Sequence, residues 1–438
     1  MTSTDELARD RARTLTEGHW TVGVIGLGYV GLPLAATAAA RGLGVVGFDV
    51  DLAKVDALNE GISHVGDVTD EELAATLASG TRFTTDEAAL ADADVLVIAV
   101  PSPLGRNRQP DMAFIEAAAD TIARVARPGQ LISLESTTYP GTTEDYLVPA
   151  AEKAGLTLDT DVWVSFSPER VDPGNVKKTA DIPKVVGGVS APSTVVAEAA
   201  YRRLVDNVHV VSSARAAELT KLLENTYRAV NIAMVNELAQ IAEVFDIDIW
   251  EVIDAAATKP FGFQPFYPGP GVGGHCIPLD PQFLAWRARE AKVPTRFIDL
   301  AEDVNLHMPE YVVERIIEVL NDRERPVKNT RILGLGIAYK ANIADDRESP
   351  AMDVLTRLAA RGADLGVLDP HVPTERITAR GLTPVEPDAD LSGWTMALVL
   401  TDHAAVDYAA VADQVEVVFD TRGIYRRLGI ERDNVVAL

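Results

Sequence analysis

The sequence has little of three things: cysteine, long apolar stretches and positive charge. Cys276 is the single cysteine among 438 residues, which excludes an internal disulfide and favours a reducing compartment. No apolar run reaches the roughly 20 residues needed to span a bilayer. The first residues are polar and charged, unlike a signal peptide. We therefore expect a cytoplasmic protein that does not enter a membrane.

Basic residues are scarce relative to acidic ones. The chain has 40 Lys and Arg against 65 Asp and Glu, and its formal net charge is −25. A surface of this sign repels nucleic acid, so no DNA or RNA partner is expected. A phosphorylated substrate would need a local cluster of cations and helix N-termini to overcome the overall field. No metal site is predicted.

What the sequence does contain is a regular alternation of short apolar runs and segments of helical length. The apolar runs are residues 21–27, 44–51, 95–100, 131–134 and 162–166, and later 331–336, 363–369, 396–402 and 415–421. Short buried strands that alternate with helices are typical of a parallel, doubly wound sheet. The sequence therefore predicts two such sheets, one in each half of the chain.

The stretch between the two predicted sheets is helical. Ser212 and Ser213 are good N-caps, and neither Gly nor Pro occurs from Ala214 through Lys259, which predicts one long helix from about Ala214 to Phe245. A loop rich in Pro, Gly and aromatic residues follows, and then more helix. The predicted fold is α/β, with two Rossmann-like doubly wound domains joined by a long helix and a helical middle domain. The predicted boundaries are an N-terminal leader, frayed or helical, at 1–18, the first Rossmann domain at 19–212, the central helix and middle domain at 213–327, and the second Rossmann-like domain at 328–438.

A dinucleotide-binding fingerprint lies in the first predicted sheet. Gly26, Gly28 and Gly31 spell G-L-G-Y-V-G between a strand and a helix, a spacing that allows a tight turn, close approach of a pyrophosphate and close helix packing. Asp49 ends the next strand, where a carboxylate binds ribose hydroxyls and repels a 2′-phosphate, so NAD is favoured over NADP. The alternative is a glycine-rich turn with a solvated aspartate. The later Gly334 and Gly336 lack a third glycine and predict no second NAD site.

Cys276 is the candidate nucleophile. Free cysteines are commonly inert core residues, but this one lies in G-G-H-C-I-P-L-D, a loop too rich in Gly and Pro to be core. Asp280 follows four residues later, and Lys221 and Asn225 are spaced i to i+4 on the long helix. A lysine beside an amide can hold an oxyanion and favour a thiolate. The alternative is that Lys221 and Asn225 are surface residues on a solvated stripe.

Six ordered motifs carry a resemblance to a known family. They are GLGYVGLPLA, ESTTYPGTT, SFSPERVDPGN, AELTKLLENTYRAVNIA, GPGVGGHCIPLDP and AYKANIADDRESP. With these motifs the chain resembles the UDP-glucose/GDP-mannose dehydrogenase family from about residue 21 to residue 435. The resemblance implies a four-electron oxidation of a sugar CH2OH to a carboxylate, with two NAD+ and a cysteine nucleophile.

The resemblance also implies residue roles. Cys276 attacks the aldehyde to form a thiohemiacetal and then a thioester, while Lys221 and Asn225 stabilise the successive oxyanions. Asp280, with Thr137, positions a water for the first proton removal, and Glu169 is the base for thioester hydrolysis. The implied cofactor-binding residues are Gly26, Gly28, Tyr29, Val30, Gly31, Asp49, Lys54, Ser102, Thr137 and Arg347. The implied substrate-binding residues are Glu169, Arg170, Lys221, Asn225, Tyr267, Gly273 and Lys340.

Departures from the glucose-type pattern narrow the expected substrate. Pro173 stands where glucose-type members have a second glutamate, Leu279 replaces a lysine, and His275 beside the nucleophile is given no role. The motifs are most similar to the branch that acts on UDP-N-acetyl-hexosamines, with UDP-N-acetylglucosamine favoured. UDP-N-acetylmannosamine is the close alternative and UDP-glucose a weaker one. The expected product is a precursor of surface polysaccharide, and the expected assembly is a homodimer or higher homo-oligomer.

Two other functions are compatible with the opening architecture. A two-electron β-hydroxyacid dehydrogenase also joins a Rossmann domain to a helical domain, but it needs no cysteine and has no third domain, so the 331–369 segment argues against it. An NAD-binding sensor or scaffold would turn over no nucleotide sugar. Release of two NADH per substrate would exclude both.

Overall fold

The structure, a computed structural model, describes residues 3–105, 108–171 and 181–438. Pro173, one of the departures noted above, lies outside the described residues. Contacts divide the chain into two units, Met1–Glu224 with Gln282–Val293, and Asn225–Pro281 with Pro294–Leu438. The predicted α/β class, with two Rossmann-like sheets and a helical middle segment, is confirmed. The bounds of the four predicted segments stay predictions.

The first unit is built on a sheet that has eight strands within the described residues. The strands are β1 Thr21–Ile25, β2 Gly44–Phe48, β3 Arg82–Thr84, β4 Val95–Ile98, β5 Gln130–Leu134, β6 Val162–Phe166, β7 Lys184–Gly188 and β8 Val208–Val210. Their order is β3-β2-β1-β4-β5-β6-β7-β8, and all neighbours are parallel except β6 and β7. The register pairs Ile25 with both Phe48 and Ile98, so the carboxyl ends of β1, β2 and β4 share one edge.

Helices cover both faces of this sheet. They are α1 Thr4–Glu17, α2 Gly31–Ala40, α3 Leu52–Asn59, α4 Asp70–Ala78, α5 Ala113–Val125, α6 Val148–Lys153 and α7 Ala191–Leu204, with a 3₁₀ turn at Glu87–Asp92 and a π-helical turn at Thr143–Leu147. One apolar core lies under α1, α2 and α7, and a second lies under α5 and α6. The segment predicted as frayed or helical is the helix α1. The Leu15 side chain of this helix is buried, and the Leu15 carbonyl accepts a hydrogen bond from Trp20 Nε1 at 2.8 Å.

The central helix α8 spans Ala214–Val244, one residue short of its predicted end. Ser213 Oγ accepts the Ala216 N–H at 3.2 Å, which satisfies one of the free amides at the helix start. The remaining helices of the middle segment are α9 Ile249–Ala257, α10 Asp280–Glu290 and α11 Arg296–Asn321.

The second unit contains a parallel sheet with six strands within the described residues. The strands are β9 Arg331–Leu335, β10 Asp364–Leu368, β11 Thr383–Pro384, β12 Met396–Val399, β13 Val417–Asp420 and β14 Val435–Ala437, and the helices are α12 Pro350–Ala360, α13 Thr374–Ala379, α14 Tyr408–Gln414 and α15 Ile424–Leu428. The order β11-β10-β9-β12-β13-β14 is that of a dinucleotide-binding fold.

No described helix combines the length and the apolar composition that crossing a bilayer requires. Among the same residues, no three His, Cys, Asp or Glu side chains are grouped so that they could hold a metal ion.

Candidate active site

The glycine-rich turn after β1 leaves a gap that a ligand can enter. Gly26 has φ 94°, and a Cβ there would lie 2.6 Å from the Ala99 carbonyl oxygen. At Gly31, the first residue of α2, a Cβ would lie 1.8 Å from the Gly26 carbonyl oxygen. At Gly28 a Cβ would meet no atom within 4 Å. The fold therefore requires glycine at the first and third positions. The backbone at Gly28 leaves open space, through which a pyrophosphate can approach the N-terminus of α2.

Asp49 follows β2 and faces this turn. Its Oδ2 accepts the Leu27 N–H at 2.9 Å and Lys54 Nζ at 2.8 Å, and its Oδ1 accepts the Asp51 N–H at 3.1 Å. Burial alone would raise the pKa of Asp49, but the bonds from Lys54 and the two amides outweigh it and lower the pKa. The carboxylate is therefore ionised and held at the strand end, where a ribose would be bound.

The other predicted cofactor residues of the first unit lie on loops at the same edge of the sheet. Tyr29 and Val30 lead into α2, Ser102 follows β4, and Thr137 follows β5. Ser136 Oγ donates to the Val100 carbonyl at 2.7 Å and so links the loops after β4 and β5. Ligands of open α/β sheets bind outside the carboxyl ends of the strands, and these residues surround that place.

A buried carboxylate anchors the loop that carries Thr137. Glu218 of α8 accepts the Gly141 N–H at 2.6 Å, the Thr143 N–H at 2.9 Å and Thr143 Oγ1 at 2.7 Å. Burial raises the pKa of Glu218 to about 7, and no cation offsets it among these contacts. Glu218 was not predicted as a site residue, although it lies within the motif AELTKLLENTYRAVNIA.

Glu169, the predicted hydrolytic base, is held at both oxygens. Oε1 accepts the Arg170 and Val171 N–H groups at 2.6 and 2.7 Å, and Oε2 accepts Lys184 Nζ at 3.0 Å. Burial opposes ionisation, but Lys184 and the two amides lower the pKa of Glu169. Lys184 also binds Glu135 at 2.7 Å. Neither Lys184 nor Glu135 was predicted as a site residue.

Arg170, a predicted substrate-binding residue, is hydrogen-bonded to other residues of the first unit. Its Nη2 and Nε bind the two carboxylate oxygens of Glu224 at 2.6 and 3.2 Å, and its Nη1 donates to the Pro183 carbonyl at 2.6 Å. The guanidinium is thus oriented by a two-point contact of the kind that fixes an arginine in one plane.

In the second unit, Cys276 lies one turn from Asp280. The Asp280 N–H donates to the Cys276 carbonyl at 2.9 Å, which joins the glycine-rich loop to the start of α10. Asn225 Nδ2 donates to Asp280 Oδ2 at 2.5 Å. Cys276 is exposed, whereas Asp280 and Asn225 are buried. Three predicted catalytic residues, separated by up to 55 positions in the sequence, are thus linked by hydrogen bonds.

The loop that carries Cys276 packs closely on the segment after β9. A Cβ at Gly273 would lie 2.6 Å from the Glu348 carbonyl oxygen, and one at Gly274, where φ is 82°, would lie 2.7 Å from the Tyr339 ring. Tyr339 immediately precedes Lys340, so the Gly273 loop and the Lys340 segment, both predicted to hold the substrate, lie against each other.

Two further predicted residues of the second unit have their own partners. Tyr267 stacks on Trp250 with ring centroids 5.6 Å apart, and its hydroxyl donates to Asp254 at 2.9 Å. Arg347 binds both oxygens of Asp345 at 2.8 and 2.6 Å, which lowers the pKa of that carboxyl against the effect of burial. Both side chains are therefore ordered at positions on the surface of their unit.

The predicted site residues fall into two groups. Those of the first unit are Gly26, Gly28, Tyr29, Val30, Gly31, Asp49, Lys54, Ser102, Thr137, Glu169, Arg170 and Lys221, and those of the second are Asn225, Tyr267, Gly273, Cys276, Asp280, Lys340 and Arg347. Lys221 is buried, and it lies four residues before Asn225 on α8.

Comparison with protein families gives three matches in chain order. Residues 20–205 match the NAD binding domain of the UDP-glucose/GDP-mannose dehydrogenase family, residues 215–307 its central domain, and residues 333–427 its UDP binding domain. The resemblance drawn from the six motifs is thereby confirmed, as is NAD as the cofactor.

Individual relatives carry different sugars in their names. An NDP-N-acetyl-D-galactosaminuronic acid dehydrogenase of Ralstonia nicotianae is 36% identical over 420 residues, which cover 92% of this chain and 96% of the relative. A UDP-N-acetyl-D-glucosamine 6-dehydrogenase of Pseudomonas aeruginosa is 36% identical over 368 residues, covering 83% and 86%. The solved structure of a UDP-D-ManNAc dehydrogenase from Pyrococcus horikoshii superposes with a TM-score of 0.83 at 30% identity, covering 95% of this chain and 97% of that one.

Proposed function

The chain belongs to the UDP-glucose/GDP-mannose dehydrogenase family, and from this premise we propose that it oxidises the 6-CH2OH of a UDP-N-acetyl-hexosamine to a carboxylate through Cys276. It is an NAD-dependent oxidoreductase of the nucleotide-sugar dehydrogenase class. We favour UDP-N-acetylglucosamine as the substrate, the sugar named for a relative of 36% identity, and UDP-N-acetylmannosamine, the sugar named for a relative of 35% identity, is supported as well. A role in supplying surface polysaccharide and a cytoplasmic location stay predictions.

The observation that carries this proposal is the Asn225–Asp280–Cys276 cluster. Asn225 holds the buried Asp280 carboxylate, and the Asp280 amide holds the backbone of the exposed cysteine. A solvated structural stripe would not join an interior helix residue to a glycine-rich loop in this way. The exposed Cys276 is thus joined through its backbone to a residue whose carboxylate is held by an amide side chain, and this arrangement supports covalent catalysis at Cys276.

The proposed chemistry proceeds in three stages. The alcohol is first oxidised to the aldehyde, with Asp280 and Thr137 positioning the water that takes the hydroxyl proton. The Cys276 thiolate then adds to the aldehyde carbon to give a thiohemiacetal, whose oxidation gives a thioester. Water finally adds to the thioester carbonyl, the C–S bond breaks, and the thiolate leaves as the carboxylate forms. NAD+, when bound, supplies the hydride acceptor for both oxidations.

The other proposed roles follow from charge and hydrogen-bond capacity. Lys221 and Asn225 are donors to the oxyanions that form at the aldehyde, thiohemiacetal and thioester stages. Glu169, ionised by its contacts with Lys184 and two amides, takes the proton of the hydrolytic water. Lys340 supplies local positive charge for the diphosphate, and Arg347 closes over the cofactor.

We also propose that the enzyme is a homodimer formed through α8. Tyr227, Met234, Leu238 and Ile241 are spaced i, i+7, i+11 and i+14, so they share one helix face, and each is more than 40% exposed. An apolar stripe of this size is typical of an interface. Light scattering coupled to size exclusion should give the mass of two chains for the wild type and of one chain for Leu238→Glu. A monomeric wild type would contradict the proposal.

The mechanism is tested by separating its two chemical halves. Wild type should release two NADH per sugar, without free aldehyde. Cys276→Ser cannot readily form a thioester, so it should be nearly inactive. Glu169→Gln should release about two NADH per active site and then stall, since loss of a general base costs roughly 10²- to 10⁴-fold in rate. Intact-protein mass spectrometry should detect the stalled adduct, and hydroxylamine should remove it.

Two further measurements test the residue assignments and the choice of sugar separately. An adduct on any residue other than Cys276, or normal turnover of Glu169→Gln, would sink the residue assignments. The sugar is identified by NADH release from UDP-GlcNAc, UDP-ManNAc, UDP-GalNAc, UDP-glucose and GDP-mannose under identical conditions. Fastest turnover of UDP-glucose or GDP-mannose would contradict the N-acetyl-hexosamine proposal.

A further inference from the structure

A buried cluster of two carboxylates and one ammonium lies behind Glu169. Lys184 begins β7 and is 2% exposed. Its Nζ reaches three acceptors: Glu135 at 2.7 Å, Glu169 at 3.0 Å and the Pro168 carbonyl at 3.3 Å. An ammonium has three N–H donors, so these contacts use its full capacity.

The cluster has one end in the core and one end toward solvent. Glu135 follows β5, its side chain is fully buried, and its Oε1 accepts the Tyr201 hydroxyl at 2.7 Å. The Glu169 side chain is 14% exposed, against 3% for Lys184. Glu169 is therefore the member of the cluster that water can reach.

Stability alone does not account for this arrangement. Removing charges from water is costly, and buried ion pairs are often replaceable by apolar side chains of similar volume without loss of stability. The cluster also places two carboxylates against one ammonium, and burial raises the pKa of the inner carboxyl, Glu135. Its location behind the one carboxylate proposed as a base suggests a chemical reason.

We propose that Lys184 is a positioning residue that holds Glu169 ionised and oriented for thioester hydrolysis, and that Glu135 is the permanent counterion of Lys184. This inference rests on the proposed role of Glu169. When Glu169 takes the proton of the hydrolytic water, the Lys184–Glu135 pair remains neutral as a whole. No buried ammonium is then left without a partner, so Glu169 can alternate between its two protonation states.

The hydrogen bonds of the groups around Glu169 support these separate roles of Lys184 and Glu135. Arg170 is turned toward Glu224 of α8, so it contributes a backbone N–H to Glu169 rather than its charge. Tyr201 of α7 donates to Glu135 and not to Glu169. Among the residues that the structure describes, Lys184 is the cation with a hydrogen bond to Glu169, at 3.0 Å, and its pKa is raised by the two carboxylates against the effect of burial.

The test follows decay of the Cys276 thioester against pH. The full-length enzyme is given NAD+ and substoichiometric UDP-sugar, and the adduct is quantified by quenched-flow mass spectrometry. Lys184→Met removes the cation, so the acid limb of the decay rate should move up by at least about one pH unit. Glu135→Gln removes the competing negative charge, so the limb should move down. Lys184→Arg keeps the charge and should restore the limb toward that of the wild type.

Opposite shifts of the acid limb support the proposal, because a merely structural role would slow all variants without moving the limb in two directions. Unshifted limbs, or shifts in one direction, overturn it. If Lys184→Met does not fold by circular dichroism, a downward shift in Glu135→Gln with an unshifted limb in Lys184→Arg supports the proposal, and an unshifted or upward limb in Glu135→Gln overturns it. Glu169→Gln in the same assay isolates the premise: rapid decay there removes the role of Glu169 itself, whereas stalling with unshifted Lys184 and Glu135 variants removes only this inference.

Discussion

Asp49 in the first unit and Asp369 in the second unit occupy equivalent positions at the edges of two Rossmann-like sheets. Each follows the last residue of a second strand, β2 or β10. Each accepts an N–H from the residue after a glycine of positive φ, Leu27 after Gly26 at 2.9 Å and Ile337 after Gly336 at 2.7 Å. The second glycine-rich turn therefore aligns with the first through Gly336 rather than Gly334.

The side chains around the two aspartates differ. The cationic partner of Asp49 is Lys54, which is 27% exposed, whereas Asp369 pairs at 3.2 Å with His403, and both of those side chains are fully buried. Gly28, the open position of the first turn, corresponds to Ala338 in the second turn. Ala338 is buried, and its carbonyl accepts a hydrogen bond from Thr401 Oγ1 at 2.5 Å. One turn is left open for a dinucleotide, and the other is filled by the side chains of its own unit.

The largest effect should come from the glycine that the fold requires. Gly31→Ala puts a Cβ 1.8 Å from a backbone oxygen, so we expect destabilisation by about 3 kcal/mol or more and a fall in Tm of roughly 10 °C. Gly28→Ala is the matched control, because the same methyl meets no atom within 4 Å. It should leave Tm nearly unchanged while raising the Kd for NAD+ about tenfold or more, since it blocks the approach of the pyrophosphate. Calorimetry measures both, and equal losses of Tm would contradict the open turn.

The next effect concerns Asp369 and its buried partner His403 in the second unit. His403 Nδ1 accepts the Asn342 N–H at 3.0 Å, so its Nε2 carries the proton that bonds Asp369. His403→Ala leaves a buried carboxylate without that donor and a cavity beside it, at a cost of about 3 kcal/mol. Lys54→Ala, which removes the cationic partner of Asp49, should cost less than about 1 kcal/mol because its ammonium is part-exposed. Denaturant unfolding compares the two, and equal costs would mean that Asp49 is as enclosed as Asp369.

The pH dependence of stability should also differ between the units. Glu218 has a pKa raised to about 7, so its contribution to the stability of the first unit is present below about pH 4.5 and is lost as pH rises through 7. Burial would raise the pKa of Asp369, but His403 and the backbone amides lower it, so its contribution is present above about pH 4 and is lost only in acid.

The two units should therefore respond differently between pH 5 and pH 8. The first unit should lose up to about 3 kcal/mol from Glu218, and the second should lose nothing from Asp369 over that range. Hydrogen exchange, corrected for intrinsic rates, can follow each unit by its own peptides. Glu218→Gln should reduce the pH trend of the first unit, and an unchanged trend would show that another group causes it.

Much of the fold was accessible from the sequence because its strong signals are local. The strands β1, β2, β4, β5, β6, β9, β10, β12 and β13 coincide with the predicted apolar runs, and α8 ends one residue from its predicted end. The strands β3, β7, β8, β11 and β14 were not predicted. Several have only two or three residues, too few for a pattern, and the antiparallel pairing of β6 with β7 depends on long-range contacts.

In the candidate site, the residues proposed to take part in the chemistry could be named from the sequence, whereas the residues that hold them in place could not. Cys276, Asp280 and Asn225 belong to motifs whose chemistry can be read from residue types. Lys184 is the first residue of an apolar strand, a position that is commonly solvated, and nothing local indicates that it lies between two carboxylates. Such a contact joins residues 49 positions apart and is settled by packing alone.

The smallest effect concerns cofactor choice at the open site. Asp49→Asn keeps the volume of the side chain and removes its charge, so repulsion of a 2′-phosphate should weaken. Lys54→Met does the reverse, because it leaves the Asp49 carboxylate without its 2.8 Å counterion. One partly screened charge contributes roughly 1 kcal/mol, about fivefold. The ratio of kcat/KM for NAD+ to that for NADP+ should therefore fall about fivefold in Asp49→Asn and rise by a smaller factor in Lys54→Met. A shift of both variants in the same direction would mean that discrimination depends on the shape of the turn rather than on the charge of Asp49.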